Sequence, residues 1–516
     1  MPTEHWSEGY ATGAGYVQAY FDDLNPQLAE FVLLLNGLDG PPPGPCCELG
    51  FGQGVSLAMH AAGNPARRWW GNDFIPAHAA HAQRLVDAAG VDATVSDQSF
   101  EEFFARDDLP RFAFVGLHGV WSWVSAANRA RIAAFLRQHL LPGGVVYLSY
   151  NSLAGWAPML PVRELMRLQM ERGSPAGRAD TAKVQQALSF LKDVLQQNPA
   201  VVANSPGLGK DLAELAGKSP QYLLHEFFNE DWHPMTFAQA AAELAPAKLT
   251  YVCPSDLHQR FTDVHFTTAQ QALLARIEDQ TLRESLADVL VARLFRREYW
   301  VRGARPLARS EVARRLREQR IVLAKGLRDV VTRVIGARGE LAFKPELTGP
   351  LTAMLEAAPE PVAVGKLLEC ATPSGLNPND VVEFAAALVG MRAAYLAAPP
   401  AQVQAARRAT DRLNAHLMSP QGQQSGIREL ASPLAAGGIA LPPGQPRMLA
   451  AYVAAPQQSD AWPAMVWDAM QSEGQQMMMG QQAITDRSAA LAALAPLAQV
   501  FQLQILPALR RLGVVS

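Results

Sequence analysis

Three carboxylates and three glycines in the first hundred residues have the types and spacing to hold a small charged molecule. Glu48 stands two residues before Gly50, and Gly50, Gly52 and Gly54 follow at every second position in "CCELGFGQGVSLAMH". Asp73 closes the run "RWWGND" and Asp97 falls just after "DATVS". Glycines so spaced let a backbone pass close to a ligand. A dinucleotide loop needs G-x-G-x-x-G, and the place of its third glycine holds Val55. No Lys-Ser/Thr pair follows, which excludes a phosphate-cradling P-loop. A carboxylate at position 48 repels a pyrophosphate and suits a ligand carrying an ammonium group.

S-adenosyl-L-methionine has that ammonium, has no phosphate and needs close backbone approach. On this reading Glu48 receives the ammonium, and Gly50, Phe51, Gly52, Gln53 and Gly54 form the loop around it. Asp73, followed by Phe74, is placed to accept from both ribose hydroxyls. Asp97, with Gln98 and Ser99, is placed to accept from the adenine amino group. The product would be S-adenosyl-L-homocysteine.

These residues need elements to position them. Short apolar runs followed by helical patterns recur up to about residue 150: "PCCELG", "RWWGND", "DATVSD", "RFAFVGLHG" and "GGVVYLSYN". Strand–helix alternation predicts a parallel sheet with helices on both faces, which binds its ligands at the carboxyl ends of the strands. The run-ending residues are then Glu48, Asp73, Asp97, His118 and Tyr150. Methyl transfer is an in-line displacement that needs an uncharged nucleophile held close. Candidates for that side are His118 (also beside the cofactor), Trp121, Tyr150, Asn151 and Trp156, with Trp123 as a lid or core residue. Aromatic faces attract a methylated ammonium, and His118 or Tyr150 could take a proton directly or through water. Tyr10, Tyr16 or Tyr20 could fold over the cofactor.

"ELGFGQG", "GNDFIPAHAAHA" and "VSDQSF" together resemble class I S-adenosylmethionine-dependent methyltransferases. "LHGVWSWVS", "SYNSLAGW", "YLLHEFFNEDWHPMTFAQ" and "LFRREYWVRG" extend the resemblance over residues 5 to 305. They are similar to bacterial methyltransferases that carry a regulatory domain, among them the rickettsial protein-lysine methyltransferases. The resemblance implies a Rossmann-like α/β core and a lysine of a protein as acceptor, with a small molecule or glycan as the alternative. A non-catalytic cofactor-binding regulator is the reading of a different class. The chain departs from the group at Ala113, where an acid is usual, and at "SLAGW", where "TYPGW" is usual.

The remaining text bounds the answer. At 516 residues the chain exceeds one core's reach, so several domains are expected. The divisions read as a cofactor-binding core over 1–160, a helical insertion over 161–222, and completion of the sheet with a regulatory domain over 223–305. A helical, winged-helix-like domain over 306–400 and a mainly helical domain over 401–516 follow. The insertion's stripe of Val184, Leu188, Leu191 and Leu195 suggests a lid or homodimer contact. A net charge of −3 offers no footprint for nucleic acid, and "LHGVWSW" is not the Asn/Asp-Pro-Pro-aromatic motif of base methylation. No metal is expected: four cysteines lack ligand spacing, and "HEFFN" has Asn229 where a zinc helix needs histidine. No run of roughly 18 uninterrupted apolar residues predicts a membrane span, and no secretion signal is legible, so a cytoplasmic location is expected. "APPAQVQAARR" reads as a linker, "QQMMMGQQ" as partly loop, and Pro496 and Pro507 as breaks between helices.

Overall fold

The structure, a computed structural model, describes residues 18–173, 180–197, 199–205, 207–218, 223, 227–229, 231–327, 329–330, 332–419, 422, 426–479 and 482–515. Its centre is a seven-stranded sheet built from every apolar run expected to form a strand. The strands are β1 (Cys46–Leu49), β2 (Trp69–Asn72), β3 (Ala93–Ser96), β4 (Phe112–Leu117), β5 (Leu140–Asn151), β6 (Leu249–Pro254) and β7 (Phe295–Arg302). Their order is β3-β2-β1-β4-β5-β7-β6. The first five are parallel, β7 runs antiparallel between its neighbours β5 and β6, and β6 shares the direction of the first five. The sheet is therefore mixed rather than wholly parallel. Buried on both faces, β1 and β4 read as continuous apolar runs, and Cys46 and Cys47 are fully buried there.

Helices α1 (Pro26–Leu35), α2 (Val55–Gly63), α3 (Pro76–Ala89), α4 (Phe100–Phe104) and α5 (Ala126–His139) accompany the parallel strands. Proline at the start of α1 and α3 needs no hydrogen-bond partner for its missing N–H. The helices of the insertion bury their stripe within the chain: Val184 and Leu191 join Met166 and Leu212 in a separate core.

Beyond the sheet, helices Pro345–Ala357, Val364–Ala371 and Pro378–Gly390 pack with a three-stranded sheet centred on Arg320–Leu323. Asn377 caps the last of these helices, its side chain accepting from the Asn379 amide at 3.0 Å. Arg392 lies past that helix, at φ +55°, rather than on it.

Two expectations for the last third, the linker and the break at Pro496, are corrected. The supposed linker is the start of a 19-residue helix, Pro400–Met418, whose Ala406, Leu413 and Leu417 are buried. Pro399 is its N-cap and Pro400 its first residue, where a missing N–H is tolerated. The methionine run is a strand, Met477–Met479, paired with Gln482–Ile484, and alternation sends its consecutive methionines to opposite faces; Gln475 and Gln476 before it lie outside any helix or strand. Pro496 sits inside the helix Arg487–Val500, which continues through a π-helical turn to Arg511. That continuous run, Arg487–Arg511, is long and apolar enough to cross a membrane by length and composition. One of its faces packs Ala490, Leu494, Phe501 and Ile505 into the carboxyl-terminal core.

Candidate functional site

The glycine turn after β1 is bound to the end of β2. Gly50 donates its amide to the Asn72 carbonyl at 2.8 Å, and Gly52 donates to Asp73 Oδ2 at 2.9 Å. Asp73 Oδ1 accepts from the Ile75 amide and lies 3.1 Å from His78 Nδ1. All three glycines have positive φ. At Gly50 a Cβ would come within 2.5 Å of Val120 Cγ2, so the turn passes close to the end of β4.

Glu48 is 3% exposed, and its Oε2 has no hydrogen-bond partner among the described residues. Burial, and secondarily the charge of Asp73, pushes its carboxyl up to about 8. A buried orphan carboxylate costs free energy unless something cationic reaches it.

One cavity opens at the carboxyl ends of β1, β2 and β4. Of the residues expected for the cofactor, it is lined by Gly50, Gly52, Asp73, Phe74, Gln98, Ser99 and His118. Glu48, Phe51, Gln53, Gly54 and Asp97 stand outside that lining. Phe51 is buried, and a Cβ on Gly71 would meet its ring at 2.8 Å. The Gln53 carbonyl holds His81 Nδ1 at 2.8 Å. Asp97 is exposed, because β3 is an edge strand. Ser99 also caps α4, exchanging hydrogen bonds with Glu102. Sequence reasoning missed Asn72, His78, Asn128 and Asp231, and left Trp123 between lid and core. Asn72 and His78 lie beside Asp73 and were within reach of a strand-end argument. Asp231 comes from beyond the insertion and carries no local signal.

On the acceptor side the strand alternation of β5 decides which tyrosine matters. His118 Nδ1 lies 2.8 Å from the Tyr147 hydroxyl, and its ring stacks on Phe21 at 3.6 Å between centroids. Gly119 donates to Ser149 Oγ at 2.8 Å. Tyr147 and Ser149 thus share a face, and Tyr150 points to the other. There Tyr150 is fully buried, its hydroxyl 3.4 Å from Glu298 Oε1, and burial holds it well above the usual phenol range. Burial, then Arg297, lowers His118 to about 3, so its ring is neutral. Trp121 is core. Asn151 is buried, its amide donating to Ser122 Oγ and its carbonyl accepting from the Met235 amide. Trp156 packs edge-on against Trp232 at 5.2 Å. None of Trp121, Tyr150, Asn151 and Trp156 lines the cavity. Tyr10 and Tyr16 lie outside the described residues; Tyr20 is buried, its hydroxyl 2.9 Å from His60 Nε2.

A family described as a predicted methyltransferase regulatory domain matches residues 219–302. An uncharacterized protein of Synechocystis sp. is 29% identical over 513 residues, 99% of each chain. An uncharacterized protein of Rickettsia prowazekii is 25% identical over 274 residues, 53% of this chain and 49% of its own. The solved structure of PKMT2 from Rickettsia typhi in complex with AdoHcy aligns with a TM-score of 0.66 at 17% identity, over 95% of this chain and 100% of that one. At that identity the likeness is one of fold. The chain has the Rossmann-like methyltransferase fold and carries within it a methyltransferase regulatory domain.

Proposed function

We propose that this protein is an S-adenosylmethionine-dependent methyltransferase and that its acceptor is a lysine side chain of a protein. The observation that carries the cofactor reading is the buried carboxyl of Glu48 beside a glycine turn, its Oε2 unpartnered among the described residues. Those groups fit the cofactor. Glu48 would face its ammonium, Gly50 and Gly52 would let it approach the backbone, and Asp73 would accept from its ribose. Phe74, Gln98 and Ser99 would surround its adenine. When bound, S-adenosylmethionine supplies an electrophilic methyl group on sulfur.

The lysine reading rests on the motif resemblance of residues 118 to 156 and 222 to 239. A lysine amine, with an ordinary pKa of about 10.4, must be deprotonated before it attacks. A histidine held near 3 is too weak a base for that, and an un-ionised buried Tyr150 is weaker still. His118 therefore orients the acceptor from a ring fixed by Tyr147 and Phe21, and the proton leaves through water.

Two outcomes check this. S-adenosylmethionine and S-adenosylhomocysteine should both give binding heat in calorimetry, whereas NAD should not; the reverse would refute the cofactor. Incubation of candidate proteins with labelled S-adenosylmethionine should add whole methyl groups at lysine by intact mass and peptide mapping. Labelling of glycans or metabolites alone would refute the acceptor.

Tyr147 and Tyr150, on opposite faces of β5, make a paired test. Tyr147→Phe frees the His118 ring and should slow single-turnover transfer about 10- to 100-fold, since small misplacements at a displacement site are costly. Tyr150→Phe keeps ring volume on the far face and should leave transfer near wild type. Equal losses in both variants would show that sheet integrity, not the His118 contact, is being read.

A further inference from the structure

A second cavity adjoins the first, and His118 lines both. It lies where β6 ends at Pro254 and β7 begins at Phe295, on the same edge of the sheet as the carboxyl end of β5. Four of its lining residues are arginines: Arg293, Arg296, Arg297 and Arg392. Taken alone they suggest a site for an anion.

Their partners reverse that reading. Arg293 pairs with Asp288 at 2.7 Å, and Arg296 pairs with Asp288 at 2.6 Å, with Glu284 at 2.8 Å and with Glu298. Arg297 is held between Asp23 at 2.8 Å and Asp256 at 2.7 Å. Arg392 grips both oxygens of Asp22, at 2.7 and 2.8 Å. Four guanidiniums thus face six carboxylates, and each guanidinium has at least one charge-assisted bond that an arriving anion would have to break. Burial above all raises the Asp23 and Glu298 carboxyls, while Arg297 and Arg296 pull them back down.

We infer that this second cavity is where the methyl acceptor enters, and that it selects a cationic amine over an anion, with Asp256 as the recognising carboxylate. The inference rests on the methyltransferase reading and adds the acceptor's location and charge. Asp256 suits the role because it lines the cavity and its side chain keeps 23% of its surface exposed, so that an arriving ammonium would share it with Arg297. His118, shared by the two cavities, stands where amine and methyl donor would meet. Arg392 comes from the helical region beyond the sheet, so that region closes one wall of the entrance.

The test uses the full-length protein saturated with S-adenosylhomocysteine and two calorimetric probes, Nα-acetyl-lysine methylamide and Nα-acetyl-glutamate methylamide. The lysine probe should bind and the glutamate probe should not. Asp256→Asn keeps the turn cap to the His258 amide and should weaken the lysine probe about 5- to 20-fold. Arg392→Gln enlarges the acidic surplus and should tighten it. An anion site requires the opposite sign in both variants. Binding of the glutamate probe as tight as the lysine probe, or an Asp256→Asn variant with undiminished lysine affinity, overturns the inference. S-adenosylhomocysteine heat without lysine-probe heat also overturns it, while leaving the cofactor reading intact. Absence of S-adenosylhomocysteine heat brings down both.

Discussion

Glu48→Gln should raise the stability of the free protein at pH 7 to 8 and, in the same sample, weaken S-adenosylmethionine binding about 10- to 100-fold. The two effects share one cause. In the folded protein the Glu48 carboxyl holds its proton up to about 8, against an ordinary value of 4.5 in the unfolded chain. Between those values the native state binds a proton that the unfolded state has released, so its contribution to stability falls as pH rises from 4.5 toward 8. At pH 7 the penalty is on the order of 3 kcal/mol, and an uncharged glutamine does not incur it.

A bound ammonium has the reverse effect. It favours the ionised carboxylate, so cofactor binding near neutral pH should release a proton, and affinity should climb between pH 6 and 8. Thermal melts of both proteins at pH 5 and pH 8 read the first effect. Calorimetry in buffers of different ionisation enthalpy reads the second. A glutamine variant with wild-type affinity and no proton release removes Glu48 from the site.

Gly54→Ala should cost about 2 to 4 kcal/mol of stability, far more than the same change at Gly37. Both glycines are left-handed, with φ +73° and +74°. They differ in their surroundings. A Cβ at Gly54 would come within 2.3 Å of Ala82 Cβ and 2.9 Å of Ala82 Cα, whereas one at Gly37 meets nothing within 4 Å. The backbone term alone is about 1 kcal/mol, and the surplus measures how tightly α2 packs on α3. Urea titration of the two variants gives the comparison. Gly50 lines the cavity and a Cβ there would intrude between the turn and Val120, so surviving Gly54→Ala protein should bind cofactor better than a Gly50→Ala variant. Equal stability losses at positions 37 and 54 would mean that α2 and α3 part easily.

The cofactor turn was legible because its signals are local. A strand of small apolar residues, an acid, and glycines that tolerate left-handed backbone are all contained in residues 46 to 54, and Asp73 repeats the strand-end logic. Caps and prolines act as locally, as at Asn377. Less legible was whatever depends on a distant partner. Asp97 ends a strand as expected, but β3 is the edge of the sheet and leaves it exposed.

Tyr150 ends the right strand, yet its face is set by β7, which supplies Glu298 from 148 residues away. The same non-local step gives His118 to Tyr147. The prolines at 399 and 400 look like a linker until a 19-residue helix packs on α2 and α3. Residue type and short-range spacing determined the strand order's raw material, the turn and its acids, because backbone sterics and capping act within a few residues. Which side chains meet in the cavity, and whether four arginines read as positive or as neutralised, was decided only by tertiary packing, because burial and charge pairing depend on groups that the chain brings together from far apart.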